Sequence, residues 1–206
     1  MTPSRNLLRA VVVATAPLAL VLASSAGCSD KTNPTSRVAL FSQLGTSNAH
    51  PQAQCQLGPL HDWVTVGQLG PNRLPGDPTV PVNDGDPWNG QTIHITACSI
   101  VPSGGGFIVN ASVTQDGQGS FTVNTVNTPL AAQGPVTGIQ AIFARGDTGS
   151  FRQDNCTVTF PRPEMGVKAG AVWGQIDCPD VVYPGQNRTC AAAAEFRFEN
   201  CDRGGN

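Results

Sequence analysis

The sequence predicts an all-β domain, an antiparallel β-sandwich with long Pro/Gly-rich loops, stapled by disulfides. Three observations carry this. Short runs that alternate apolar and polar residues recur from residue 92 onward, separated by turn residues. The 206 residues include 23 glycines and 17 prolines, and no long stretch beyond residue 50 keeps a helical period. Seven cysteines are present, and six of them lie beyond residue 50. In an exported chain that even number reads as three disulfides.

The chain opens on a short basic stretch, Arg5 and Arg9, followed by an apolar run from Ala10 to Ala23. This matches the apolar segment of an export signal, about 7–15 residues long. It falls short of the roughly 20 that a transmembrane helix needs. Small residues follow, Ser24, Ser25, Ala26 and Gly27, and then Cys28. Ser25-Ala26-Gly27-Cys28 resembles the lipobox of bacterial lipoproteins, departing at Ser25, where that family more often has Leu or Val. The resemblance implies that residues 1–27 are a signal peptide removed on export. It implies that Cys28 is the lipid-attachment residue, its thiol carrying a diacylglycerol with palmitate-type chains. Several acyl chains bury tens of methylenes at about 0.8 kcal/mol each, enough for permanent membrane anchoring. Ser29, rather than Asp, after the cysteine implies outer-membrane delivery in a two-membraned cell. The other reading is an ordinary secretory signal cut near Ala26-Gly27, with Cys28 pairing elsewhere.

Residues 28–48 read as a lipidated tether, because Asp30-Lys31-Thr32-Asn33-Pro34-Thr35-Ser36 offers little apolar surface to bury. Val38-Ala39-Leu40-Phe41 interrupts it as a first strand or helical turn docked on the domain. The β-sandwich domain is placed at 49–203 and a C-terminal tail at 204–206. Without residues 1–27 the chain keeps 10 of its 12 basic residues against 14 acidic ones. No Lys/Arg cluster supplies a nucleic-acid footprint or a polybasic lipid patch.

Prolines 71, 75, 78, 81 and 87 exclude interior strand or helix positions between Leu69 and Gly90, so this stretch is a long ordered loop pinned by Trp88. Beyond it the strands follow in order. Thr92–Val101 carries Ile93, Ile95 and Ala97 on one parity, and Phe107–Gln115 carries Phe107, Val109, Ala111 and Val113. Asp116-Gly117 signals a hairpin into Phe121 and Val123. Ile139, Ala141 and Phe143 repeat the pattern, as do Cys156, Val158 and Phe160. Val172, Gly174, Ile176 and Cys178 form another run, and Ala192, Ala194, Phe196 and Phe198 the last.

The six cysteines beyond residue 50 contain no C-x-x-C and no zinc-like spacing. Cys178 ends one run and Cys190 begins the next, across a Pro184-Gly185 turn, so a hairpin predicts Cys178–Cys190. Cys98, the hairpin from Phe107 to Val126 and the terminal Phe196-Arg197-Phe198-Glu199-Asn200-Cys201 resemble the mycobacterial lipoprotein antigen type of small β-sandwich over about half the chain. The four additional cysteines depart from that family. The resemblance implies a surface antigen that handles lipid or glycolipid. It couples early and final strands, and with both cysteines off their strands' core parity this favours Cys98–Cys201. Cys55–Cys156 is then the remainder.

Chemistry-bearing residues are few. His61-Asp62 is the one adjacent His–carboxylate pair, beside His50 and His94, and no G-x-S-x-G elbow supplies a nucleophile. Glu195 and Glu199 share a strand face about 13 Å apart at roughly 3.3 Å per residue. That exceeds the roughly 6.5–9.5 Å of an inverting glycosidase. Arg197 lies between them, so they read as a surface charge row, and Glu164 completes the glutamates. Asn83-Asp84-Gly85-Asp86 carries oxygen ligands but not an EF-hand series, and reads as an Asx-rich turn. Arg145-Gly146-Asp147 matches an adhesion tripeptide and reads as a turn. Trp173 falls on the polar parity of its strand with Gln175 and Asp177, an arrangement that suits a sugar platform. These three are the expected ligand contacts.

The leading expectation is a non-enzymatic, membrane-anchored envelope lipoprotein, a binding or structural β-sandwich for a glycan, lipid or protein ligand. It needs no cofactor, metal or nucleic acid. The alternative is a hydrolase of envelope polysaccharide or peptide. His61 within reach of a serine or carboxylate in a pocket would favour the latter.

Overall fold

Alternation of apolar residues becomes twelve strands in a computed structural model, which describes residues 34–49, 54–70, 76, 78–125, 128–132 and 134–204. They are β1 (Arg37–Gly45), β2 (His61–Val66), β3 (Val82–Asn83), β4 (Pro87–Trp88), β5 (Gln91–Ser103) and β6 (Gly106–Gln115). Then come β7 (Gly119–Asn124), β8 (Val136–Arg145), β9 (Gly149–Thr159), β10 (Gly166–Lys168), β11 (Ala171–Tyr183) and β12 (Arg188–Glu199). The signal peptide, Cys28, the first part of the tether and His50 lie outside the described residues.

The strands form one antiparallel sheet in the order β2-β1-β12-β11-β9-β8-β7-β6-β5-β4, with β10 on β11 and β3 on β1. The sheet curls so that its inner surfaces face each other. Phe121 of β7 meets Phe196 of β12 with ring centroids 5.7 Å apart. Beyond β12 the chain bonds to β5. Ile100 N donates to Asp202 O at 2.8 Å, and Asp202 N donates to Cys98 O at 2.9 Å. The interior holds Phe121, Phe143, Phe151, Phe196 and Phe198, all fully buried. Each such ring contributes about 1.5–3 kcal/mol of apolar burial.

The expected alternation holds on β12, where Ala192, Ala194, Phe196 and Phe198 face the core. On β5 a bulge between Ile95 and Ala97 reverses it. Ile93 and Ile100 are both buried, and Cys98 pairs with the core residue Ala111. A second bulge, in β2 opposite Phe41–Gln43, is sealed by a core serine of β1. Ser42 Oγ accepts from Val64 N and donates to Val64 O, both at 3.0 Å. A buried backbone pair that the ladder misses is thereby satisfied.

The tether ends earlier than residue 48. Arg37–Gly45 is a full strand between β2 and β12, because Val38, Leu40 and Leu44 supply a buried face. The proline-rich stretch holds β3 and β4, and Trp88 packs against the core from β4.

Three disulfides staple the sheet, Cys55–Cys190, Cys98–Cys201 and Cys156–Cys178. Three such bonds are compatible with an exported, oxidising location. Cys98–Cys201 is the expected pair, but for a different reason. The β5 bulge turns Cys98 inward, and the chain beyond β12 runs beside it. Cys178–Cys190 is corrected. β11 does not stop at Cys178; it bulges there and runs on to Tyr183, which sets Cys190 opposite Val181. Cys178 instead faces Cys156 across β9, next to the Asp177–Thr157 pair. Cys55–Cys156 falls with it, and Cys55 ties the irregular segment before β2 to Cys190 on β12.

Candidate functional site

The outer face of β1, β12, β11 and β9 carries the polar side chains that alternation excludes from the core. Register aligns them in rows. One runs Phe41, Glu195, Gln175, Thr159, and the next runs Gln43, Ala193, Asp177, Thr157. A third sets Arg197 beside Trp173.

Glu195 is the centre of this face and only 3% exposed. Its Oε1 accepts from Arg162 Nη2 and from Trp173 Nε1, the latter at 3.2 Å, and its Oε2 accepts from Gln175 Nε2 at 3.2 Å. Arg162 comes from the turn between β9 and β10, flanked by Pro161 and Pro163, and is 6% exposed. Met165 N closes that turn on Arg162 O at 3.0 Å. Arg162 Nε also lies 3.7 Å from Glu164 Oε1. Buried charges of this kind are tolerated when paired and hydrogen-bonded.

Trp173 is therefore not an open platform. It is 8% exposed, with the guanidinium carbons of Arg162 and Arg197 at 4.7 and 4.8 Å from its ring centroid. The covering groups come from segments remote in sequence. Arg197 is itself held by Thr79 Oγ1, and it donates to Glu199. The expected surface charge row on β12 is corrected accordingly. Glu195 is buried, and the Arg197 and Glu199 side chains are only 23% and 16% exposed.

Two depressions flank this knot. One, of about 210 Å³, is lined by Trp173, Arg197, Glu199, Glu164 and Lys168 among others. The other, of about 220 Å³, lies over Ala193 and is lined by Phe41, Gln43, Thr159, Gln175, Asp177 and Glu195. Its origin is steric: Ala193 is the short side chain in a row where Gln43 and Asp177 are long. Of the three expected ligand contacts, Gln175 and Asp177 line this groove, and Trp173 lines the other depression from beneath its arginines. Sequence reading misses Phe41 and Gln43, which fall within the assigned tether. It also misses Arg162, whose signal is its setting between two prolines.

Of the other candidates, Asp62 touches this face through Gln43, and the rest make local contacts of their own. His61 Nδ1 lies 3.1 Å from the Pro59 carbonyl oxygen, and Asp62 accepts from Gln43 at 3.1 Å. His94 Nε2 lies 3.3 Å from Asp116 Oδ2 at the β6 hairpin. In the Asx-rich turn, Asn83 Nδ2 donates to Asp86 at 2.7 Å and Asp84 accepts from Ile95 N at 2.8 Å, so donors occupy these oxygens. Arg145 bonds Asp147 at 3.0 Å and lies over Trp63, folding the tripeptide back on the domain. The hydrogen bond from Thr148, then Arg145, holds the Asp147 carboxyl below its ordinary value against desolvation.

Comparison with protein-family models, with curated proteins and with solved structures returns no match for this chain.

Proposed function

We propose that this chain is an exported envelope lipoprotein, anchored through Cys28, whose β-domain binds a hydroxyl-bearing ligand without transforming it. The observation that supports binding is the saturation of Glu195. All three of its hydrogen bonds go to protein donors, so the one deeply buried carboxylate among the described residues fixes Gln175 and Trp173 in place. Fixed amides beside a groove lower the ordering cost of binding. The groove's mixture of amide, hydroxyl, carboxylate and aromatic edge suits a glycan, free or on a glycolipid.

The test has two parts. Cys28→Ala should move the protein from the membrane fraction to the soluble one, and retention of residues 1–27 in the native intact mass would refute the anchor. The purified full-length protein, incubated with a panel of envelope oligosaccharides and glycolipids, should retain at least one. Ala193→Trp, which fills the groove, should abolish that binding while leaving the circular dichroism unchanged. New reducing ends during the incubation would establish the hydrolase reading instead.

A further inference from the structure

We propose that the groove over Ala193 selects a saccharide unit bearing a free amine, a glucosamine-type ring with its ammonium on Asp177. This rests on the binding reading above and names its ligand class. Three observations lead to it.

The first is size. About 220 Å³ admits a single pyranose ring, and lies below the roughly 300–1,000 Å³ that holds larger ligands. The second is polarity with fixed direction. Gln175 Nε2 is committed to Glu195, and Gln43 Nε2 is committed to Asp62 at 3.1 Å. Each amide therefore turns its carbonyl oxygen away from its own donor bond, as an acceptor for a ligand donor. The third is charge. Asp177 is exposed and has no hydrogen-bond or ion-pair partner among the described residues. No Lys or Arg lines the groove, and the nearest buried cation, Arg162, is neutralised by Glu195. Asp62 adds a second carboxylate behind Gln43. Two amide acceptors and an unpaired carboxylate favour a ligand rich in donors and carrying positive charge. An amino sugar meets both conditions in one ring. A uronate or sulfated sugar would meet like charge at Asp177.

The test compares four probes on the purified full-length protein by calorimetry. These are a glucosamine tetrasaccharide, its fully N-acetylated counterpart, a glucuronate-containing tetrasaccharide and tetralysine. The glucosamine tetramer should bind at least about tenfold more tightly than the other three, the scale of a hydrogen bond to a charged group. Asp177→Asn should remove that preference, with the circular dichroism unchanged. Tighter or equal binding of the N-acetylated or glucuronate tetramer would overturn the amine selection but leave the glycan-binding reading standing. Equal binding of tetralysine would show charge alone at work and would also overturn it. If no saccharide binds, both readings fail together.

Discussion

Arg162 and Glu195, 33 residues apart in sequence, meet beneath the outer surface of the sheet, where neither side chain keeps more than a few percent of its exposure. Removing one partner leaves the other charged in a site built to exclude water. Glu195→Ala should cost about 3–5 kcal/mol in urea denaturation. The double variant Arg162→Met/Glu195→Leu should cost clearly less than Glu195→Ala alone. Additive single effects would mean that the two charges are not coupled.

Disulfide pairing has a direct readout. Non-reducing peptide mapping should link Cys156 to Cys178 and Cys55 to Cys190, and a peptide joining Cys178 to Cys190 would overturn this register. Sequence separations of 135 and 22 residues set the loops that the two bonds close. In the chain-entropy model those loops correspond to about 5 and about 3 kcal/mol. Replacing the Cys55–Cys190 pair by alanines should therefore lower Tm more than replacing Cys156–Cys178.

Two glycines separate conformational strain from collision. Gly117 has φ 70°, and an added Cβ would meet only the end of the Gln91 side chain, at 4.0 Å. Gly117→Ala should cost about 1–2 kcal/mol. Gly149 has φ 102°, and its Cβ would fall 2.0 Å from Cε2 of Tyr183. Gly149→Ala should cost visibly more, at about 2–4 °C of Tm per kcal/mol for a chain of this size. Equal losses would show that the Tyr183 ring swings away freely.

Asp154 offers a pH signature. The hydrogen bond from Arg152 Nε, at 2.7 Å, and then that from Gln140 hold its carboxyl below the ordinary 3.8 in spite of some desolvation. A depressed folded-state value means that the group adds stability above the unfolded value and loses it as pH falls through the folded one. Carboxyl-carbon NMR should place its midpoint below 3.8, and Arg152→Ala should raise it. A midpoint that Arg152→Ala leaves in place would refute the assignment.

Much of the sheet is legible in the sequence because burial on one face forces alternation, and Ala192, Ala194, Phe196 and Phe198 show it on β12. Alternation fails where a bulge adds a residue. Nothing in Ile95-Thr96-Ala97 or Cys178-Pro179-Asp180 states which way the chain resumes, and the pairing of Cys178 turns on that. The outer face is harder still. Parity places Trp173, Gln175 and Asp177 together correctly, but parity cannot say what a segment from elsewhere lays over them. The burial of Trp173 is decided by Arg162 and Arg197, and Arg197 is held in turn by Thr79, more than a hundred residues upstream.

The position of β1 between β2 and β12 carries a consequence for the order of events in the cell. Among the described residues, the first strand synthesised has its longest partner in the last one, from Arg37 opposite Glu199 to Gly45 opposite Ala191. Until the ribosome delivers the final strand, Val38, Leu40 and Leu44 lack their facing wall, and Cys55 lacks Cys190. The β1–β12 seam and the Cys55–Cys190 bond therefore close only once β12 is present. Contacts of such large sequence separation close slowly, because the loop entropy is lost before the contact forms.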